Sequence, residues 1–144
     1  MQVAAILKRK GDSVVSIDPG QSVRSAAALL TEHRIGAVLI QAPDGAIRGI
    51  LSERDIVRGI ALEGDRVLDL PVEALMIRDV LTCHPGNTVA ELMRIMTDRR
   101  IRHLPVLEEG RLVGMISIGD VVKERVDEAE QEVEMLQGYI ASIR

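Results

Sequence analysis

The chain repeats itself, and duplication constrains the fold more than any other property, because one pattern must adopt one local structure twice. Val14-Val15-Ser16-Ile17-Asp18-Pro19 aligns with Val80-Leu81-Thr82-Cys83-His84-Pro85 at an offset of 66 residues, from Pro19 to Pro85. At the same offset Ser22-Val23 meets Thr88-Val89, Leu30 meets Met96, and Ile35 meets Ile101. One deletion in a turn then shifts the offset to 65, from Gly49 to Gly114. There Gly49-Ile50-Leu51-Ser52 meets Gly114-Met115-Ile116-Ser117, and Asp55-Ile56-Val57 meets Asp120-Val121-Val122. Even the lead-ins agree, with Val3, Ile6 and Leu7 answering Val72, Leu75 and Met76. The chain is a tandem duplication.

Each copy predicts the same element order. A short extended piece ends at the proline, because the residue before a proline is driven out of the α region. An amphipathic helix follows, with Val23, Ala26, Ala27 and Leu30 on one face, and Val89, Leu92, Met93 and Met96 in the twin. Thr88 and Glu91 stand in capping-box spacing at the start of the second of these helices. Two apolar runs split by a turn come next, 37–40 and 47–51 around Asp44-Gly45, then 104–107 and 112–116 around Glu109-Gly110. They read as hairpins whose glycine supplies a positive φ. A second helix begins near Ser52 and near Ser117. The expected fold class is α/β (α+β), two β-α-β-β-α units, divided as 1–70, 71–125 and a terminal helix 126–144.

Composition bounds the function. With 144 residues, 47% hydrophobic and 28% charged, the chain builds a core without staples. It has one tyrosine, no Phe and no Trp, so it lacks the aromatic platforms on which single-stranded nucleic acids stack. A net charge of −4 argues further against a phosphate-backbone binder. Cys83 stands alone and the three histidines match no local ligand spacing, so no disulfide and no metal site is expected. The start MQVAAILKRK is too short in apolar residues for a secretory signal, and no segment reaches the ~20 needed to span a bilayer. The expected setting is cytoplasmic.

Beyond the second unit the helical pattern continues. Val122, Val126, Ala129, Val133, Leu136, Ile140 and Ile143 form a heptad seam, rimmed by Glu124, Glu128, Glu130, Glu132 and Glu134. Such a helix either lies along its own protein or meets a second subunit. Gly138 interrupts the propensity near its end.

One element recurs with chemistry in it: Ser52-Glu53-Arg54-Asp55 and Ser117-Ile118-Gly119-Asp120, each after a Gly-apolar-apolar strand. Helix capping alone selects Ser-x-x-Asp at a strand-to-helix junction. The same geometry also suits a ligand. The helix N-terminus attracts an anion, the hydroxyl bonds a phosphate, and the carboxylate accepts both hydroxyls of a ribose. Recurrence in both copies favours the ligand.

From about Val3 to Arg125 the chain resembles the tandem CBS domain pair, or Bateman module. The resemblance rests on the proline after the first strand, the IGAVLI run at 35–40, the RIRHLPVLEEGRLVGMIS run at 100–117, and both Ser-x-x-Asp elements. It implies two pseudo-symmetric units whose clefts take AMP, ADP, ATP, NAD or S-adenosylmethionine. It also implies that Asp55 and Asp120 hold the ribose, with Ser52 and Ser117 beside the phosphate or ribose. The walls are Ile35-Gly36-Ala37 and Ile101-Arg102-His103, with Arg54 and Ile118 inside the two elements. Arg102 and His103 stand where the first copy has Gly36 and Ala37, and basic side chains suit a phosphate. Lacking aromatic rings, adenine would lie between aliphatic groups: Ile17, Ile35 and Val38, or Cys83, Ile101 and Leu104.

The reading is a non-enzymatic sensor that signals to an unidentified effector protein and forms a homodimer. No Walker loop, nucleophile–base pair or metal set suggests catalysis. The alternative is a dimeric adaptor whose nucleotide clefts are vestigial.

Overall fold

The structure, a computed structural model, describes residues 1–143. Arg144, the last residue of the expected terminal helix, lies outside the described residues. The elements run α1 (Val3–Lys10), β1 (Ser16–Ile17), α2 (Val23–His33), β2 (Ala37–Gln41), β3 (Ile47–Ser52) and α3 (Glu53–Glu63). Two 3₁₀ turns, Asp65–Asp69 and Val72–Ala74, lead to α4 (Val89–Arg99), β4 (His103–Glu108), β5 (Arg111–Ser117) and α5 (Ile118–Ser142).

The chain condenses into two units that do not follow the repeats in order. One is Val14–Leu81; the other joins Met1–Ser13 to Thr82–Arg144. The division expected from sequence kept each lead-in with the repeat it precedes, whereas the fold gives it to the other. In the central unit the Val23 amide donates to Leu70 O at 2.8 Å and the Val72 amide to Gln21 O at 2.7 Å. In the outer unit the Val3 amide donates to Asn87 O and the Val89 amide to Met1 O, both at 2.9 Å. Each lead-in thus ties down the start of a helix whose first amides have no intrahelical acceptor. Nor do residues 126–144 form a separate piece, because α5 runs unbroken from Ile118 to Ser142, through Gly138.

The central unit holds a three-stranded sheet, β1 parallel to β2 and β2 antiparallel to β3. The outer unit keeps only the β4–β5 hairpin, with the counterpart of β1 reduced to a single parallel bridge between Cys83 and Val106. Proline explains the difference. Leu39 donates its amide to Val15 O at 3.2 Å, and the residue 66 positions later is Pro105, which has no N–H to give. Both hairpins form at the expected turns, and Glu109 and Gly110, at φ 51° and 78°, make the two-residue loop of β4–β5.

Each unit has its own core. Val23, Leu30, Val38, Ile40, Leu51 and Val72 are among the buried residues of the central one. Val3, Val89, Leu92, Leu104, Ile116 and Val121 fill the outer one. Two glycines mark where lead-ins press on strands. A Cβ on Gly49 would sit 2.8 Å from Ile77 O, and one on Gly114 would sit 2.5 Å from Leu7 Cδ2.

On α5, Glu124 does not belong to a solvated rim: it is 2% exposed and pairs with Arg9 of α1. The apolar seam is what faces water, with Val126, Val133, Leu136 and Ile140 all about half exposed or more.

Candidate functional site

Both Ser-x-x-Asp elements fold into complete capping boxes at the junctions β3–α3 and β5–α5. The Ser52 hydroxyl accepts from the Asp55 amide, while the Ser52 amide and hydroxyl each donate to Asp55 Oδ2 at 2.9 Å. At the second junction the Ser117 amide and hydroxyl donate to Asp120 Oδ2 at 2.8 and 3.0 Å. The capping and ligand roles are therefore compatible, since every capping bond that the carboxylate accepts converges on Oδ2.

The expected walls lie beside these boxes. Ala37 pairs with Ser52 across the first hairpin, and His103 pairs with Ser117 across the second. The first amide of each helix reaches back to the same wall: Glu53 N–H donates to Gly36 O at 3.0 Å, and Ile118 N–H to Arg102 O at 2.8 Å. Register and backbone bonds therefore gather Ile35, Gly36, Ala37, Ser52 and Asp55 in one unit. They gather Arg102, His103, Ser117, Ile118 and Asp120 in the other. Arg54 and Arg102 are exposed, and Ile35 and Gly36 help line a groove of about 440 Å³ between α2 and α3.

Other expected contacts sit deeper. Ile17 and Cys83 are 8% and 5% exposed, and Val38 and Leu104 are fully buried; all four are core. Burial pushes the Cys83 thiol up to about 11. Ile35 and Ile101 alone of the six residues proposed for adenine are partly exposed.

Sequence reading missed Lys10. From the end of α1 its ammonium reaches Asp120 Oδ2 and Met115 O, both at 2.7 Å. Asp55 has instead Arg58, one turn along its own helix at 4.0 Å. The two capping boxes thus match in their bonds and differ in charge. No repeat signal marked Lys10, because aligning the lead-ins sets it opposite Asp79.

Lys10 also sets the acid–base behaviour of Asp120. Partial burial works to raise that carboxyl's pKa. The Lys10 ammonium and the Ser117 amide and hydroxyl outweigh it and hold the group below the usual carboxylate range. Between that lowered value and the ordinary aspartate value of about 3.9, the unfolded chain binds the proton and the native chain does not. Stability from this group is therefore complete above that window and is lost as pH falls through it. Asp120→Asn should lose less stability than wild type on acidification below about pH 4. Parallel urea-midpoint curves for the two proteins over that range would disprove the assignment.

Among the described residues, no group of His, Cys, Asp or Glu is arranged to hold a metal ion, and no helix is long and apolar enough to cross a membrane.

Comparison with known proteins follows the repeats in sequence order, each lead-in matching with the repeat it precedes. The CBS domain model matches twice, at residues 3–62 and 72–127. A mitochondrial CBS domain-containing protein of Arabidopsis thaliana, CBSX3, is 34% identical over 96% of this chain and 71% of its own. The CBS-domain protein ATU1752 of Agrobacterium tumefaciens superposes with a TM-score of 0.85 at 46% identity, over 86% of this chain and 92% of that one. A CBS domain protein of Pyrobaculum aerophilum, PAE2072, solved in complex with AMP, gives 0.73 at 30% identity, over 83% and 89% of the two chains.

Proposed function

Because this chain belongs to the CBS domain family, with two copies covering most of its length, we propose that it is a non-catalytic regulatory module that binds an adenine nucleotide and signals to an effector protein. The observation that carries the reading is the twice-built capping box. In each copy a carboxylate spends one oxygen on its own helix, beside a wall of backbone pinned to that helix by a hydrogen bond. The other oxygen, Oδ1 of Asp55 or Asp120, would accept the ribose hydroxyls. A ligand phosphate would meet Lys10, Arg102 and His103 in the outer unit. In the central unit the corresponding walls, Gly36 and Ala37, offer it no charge, and the nearby cations Arg34 and Arg54 are offset in part by Glu53. The outer site should therefore prefer phosphorylated ligands, because charge-assisted bonds are about twice as strong as neutral ones. The AMP bound by the Pyrobaculum relative supports the ligand class. A homodimer and a cytoplasmic setting complete the proposal.

Purified protein at 100 times the dissociation constant should gain about 2.7 kcal/mol of stability, read as a raised melting temperature. The panel is AMP, ADP, ATP, NAD and S-adenosylmethionine, together with mass analysis of any nucleotide released on denaturation. Asp120→Ala should weaken AMP binding by roughly 2 kcal/mol in isothermal titration, through loss of a charged acceptor. No shift with any ligand and no released nucleotide would establish the adaptor reading instead. Unchanged affinity in both Asp120→Ala and Asp55→Ala would end the ribose assignment.

A further inference from the structure

The last four turns of α5 present a problem of solvation. From Ala129 to Ile143 every residue is exposed, although Val133, Leu136, Ile140 and Ile143 are large and apolar. An isolated helix of about 15 residues is marginal in water, so packing has to supply its stability. We infer that the occupant of this seam is the α5 of a second copy, running parallel and in register as a two-stranded coiled coil. The inference sharpens the homodimer reading above and is independent of nucleotide binding.

Three features select that arrangement. The first is core shape. With Val122, Ala129, Leu136 and Ile143 at d, the a positions are Val126, Val133 and Ile140, all β-branched. Among parallel coils, β-branched residues at a with leucine at d, as at Leu136, favour two strands.

The second is charge. The seam's flanks, positions e and g, hold Lys123, Arg125, Glu130, Glu132, Gln137 and Tyr139, which carry no net charge. The acidic excess lies elsewhere, with Asp127 and Glu134 at b, Glu128 turned to the Met1 amine and to Arg125 at 3.4 Å, and Glu124 turned to Arg9 of its own unit. A parallel pair sets Arg125 against Glu130 of the other copy, twice by symmetry, and Glu132 against uncharged Gln137. Antiparallel pairing with full overlap would set Glu132 against Glu132 and Glu130 against Glu130, and like charges there repel.

The third is the placement of Gly138. It falls at f, the position farthest from the partner, where a missing side chain costs helix propensity but no interface contact. Lone burial of α5 on its own unit would leave these three features unrelated.

The test uses the full chain and light scattering. Wild type should be a dimer at micromolar concentration. Val133→Asp should be a monomer that loses the helical circular dichroism of the last turns of α5 and keeps an unchanged urea midpoint for the core, since Val133 touches neither core. Arg125→Glu and Glu130→Arg should each weaken dimerisation roughly tenfold, and the double charge swap should restore it. An Ile140→Cys chain should form a disulfide-linked dimer on mild oxidation, with the buried Cys83 as the unreactive control. A wild-type monomer overturns the inference, as does a Val133→Asp protein that stays dimeric, although the latter leaves the homodimer itself in place. Cross-linking of mixed Val122→Cys and Ile140→Cys chains, without self-linking of Ile140→Cys, would replace parallel by antiparallel pairing.

Discussion

Arg9→Ala should destabilise the protein by about 3 kcal/mol, the low end for removing one partner of a buried ion pair. The Glu124 side chain is 3% exposed, while Arg9, at 53%, keeps half its surface in water. Removing the arginine therefore strands a carboxylate that is already short of partners, because Glu124 Oε2 is buried without a hydrogen bond. Arg9→Ala combined with Glu124→Leu should recover most of the loss, since an apolar replacement needs no counter-charge. Chemical denaturation of the two single variants and the double variant gives the coupling directly. A double variant as unstable as the sum of the singles would show that the pair is not coupled.

Gly49→Ala should cost about 2–3 kcal/mol and Gly114→Ala about 1 kcal/mol, both within the range for overpacking a core. The two glycines are equivalent in the repeat, so the difference comes from what each faces. At Gly114 the close atom is the tip of Leu7, and the next contacts are at 3.4 and 3.5 Å, so a rotamer change relieves the clash. At Gly49 the added carbon meets Met76 Sδ at 2.6 Å and Ile77 O at 2.8 Å. That carbonyl cannot retreat: residues 50 and 77 exchange both backbone bonds, at 3.0 and 2.9 Å. Urea midpoints at constant m-value measure the two costs. Equal losses would show that the strand, not the lead-in, yields at both positions.

Those glycines also show where sequence reading succeeds and where it stops. Gly49 and Gly114 stood out as the openings of a possible ligand motif, yet their immediate duty is to admit a lead-in. The hairpins, the helices and the Ser-x-x-Asp caps were legible because they are local, set by periodicity, turn residues and capping chemistry within a few positions. The exchange of lead-ins was not legible, since hydrophobic spacing says that Val3 and Val72 are buried without saying by what. Lys10 and Asp120 lie 110 residues apart, and no local pattern links them. Glu124 looked like one acid among many on a charged helix. Only the arrival of Arg9 on that side of α5 shows why it is buried. Pro105 was visible in the sequence, but its effect, the loss of a third strand, depends on a bond that Leu39 makes in the other copy.

The exchanged lead-ins also fix an order of assembly during synthesis. The central unit, Val14–Leu81, has all its parts as soon as residue 81 has left the ribosome, and it can close while the rest is still being made. Residues 1–13 emerge before that unit but wait longer. Their sockets on Pro85, Asn87 and Gly114, and the carboxylates of Asp120 and Glu124, all appear only after the central unit is complete. Until then an amphipathic segment ending in Lys8, Arg9 and Lys10 hangs free, cationic and without its core. A nascent chain stalled before residue 120 would carry one finished body and one exposed basic arm, the form most open to proteases and chaperones.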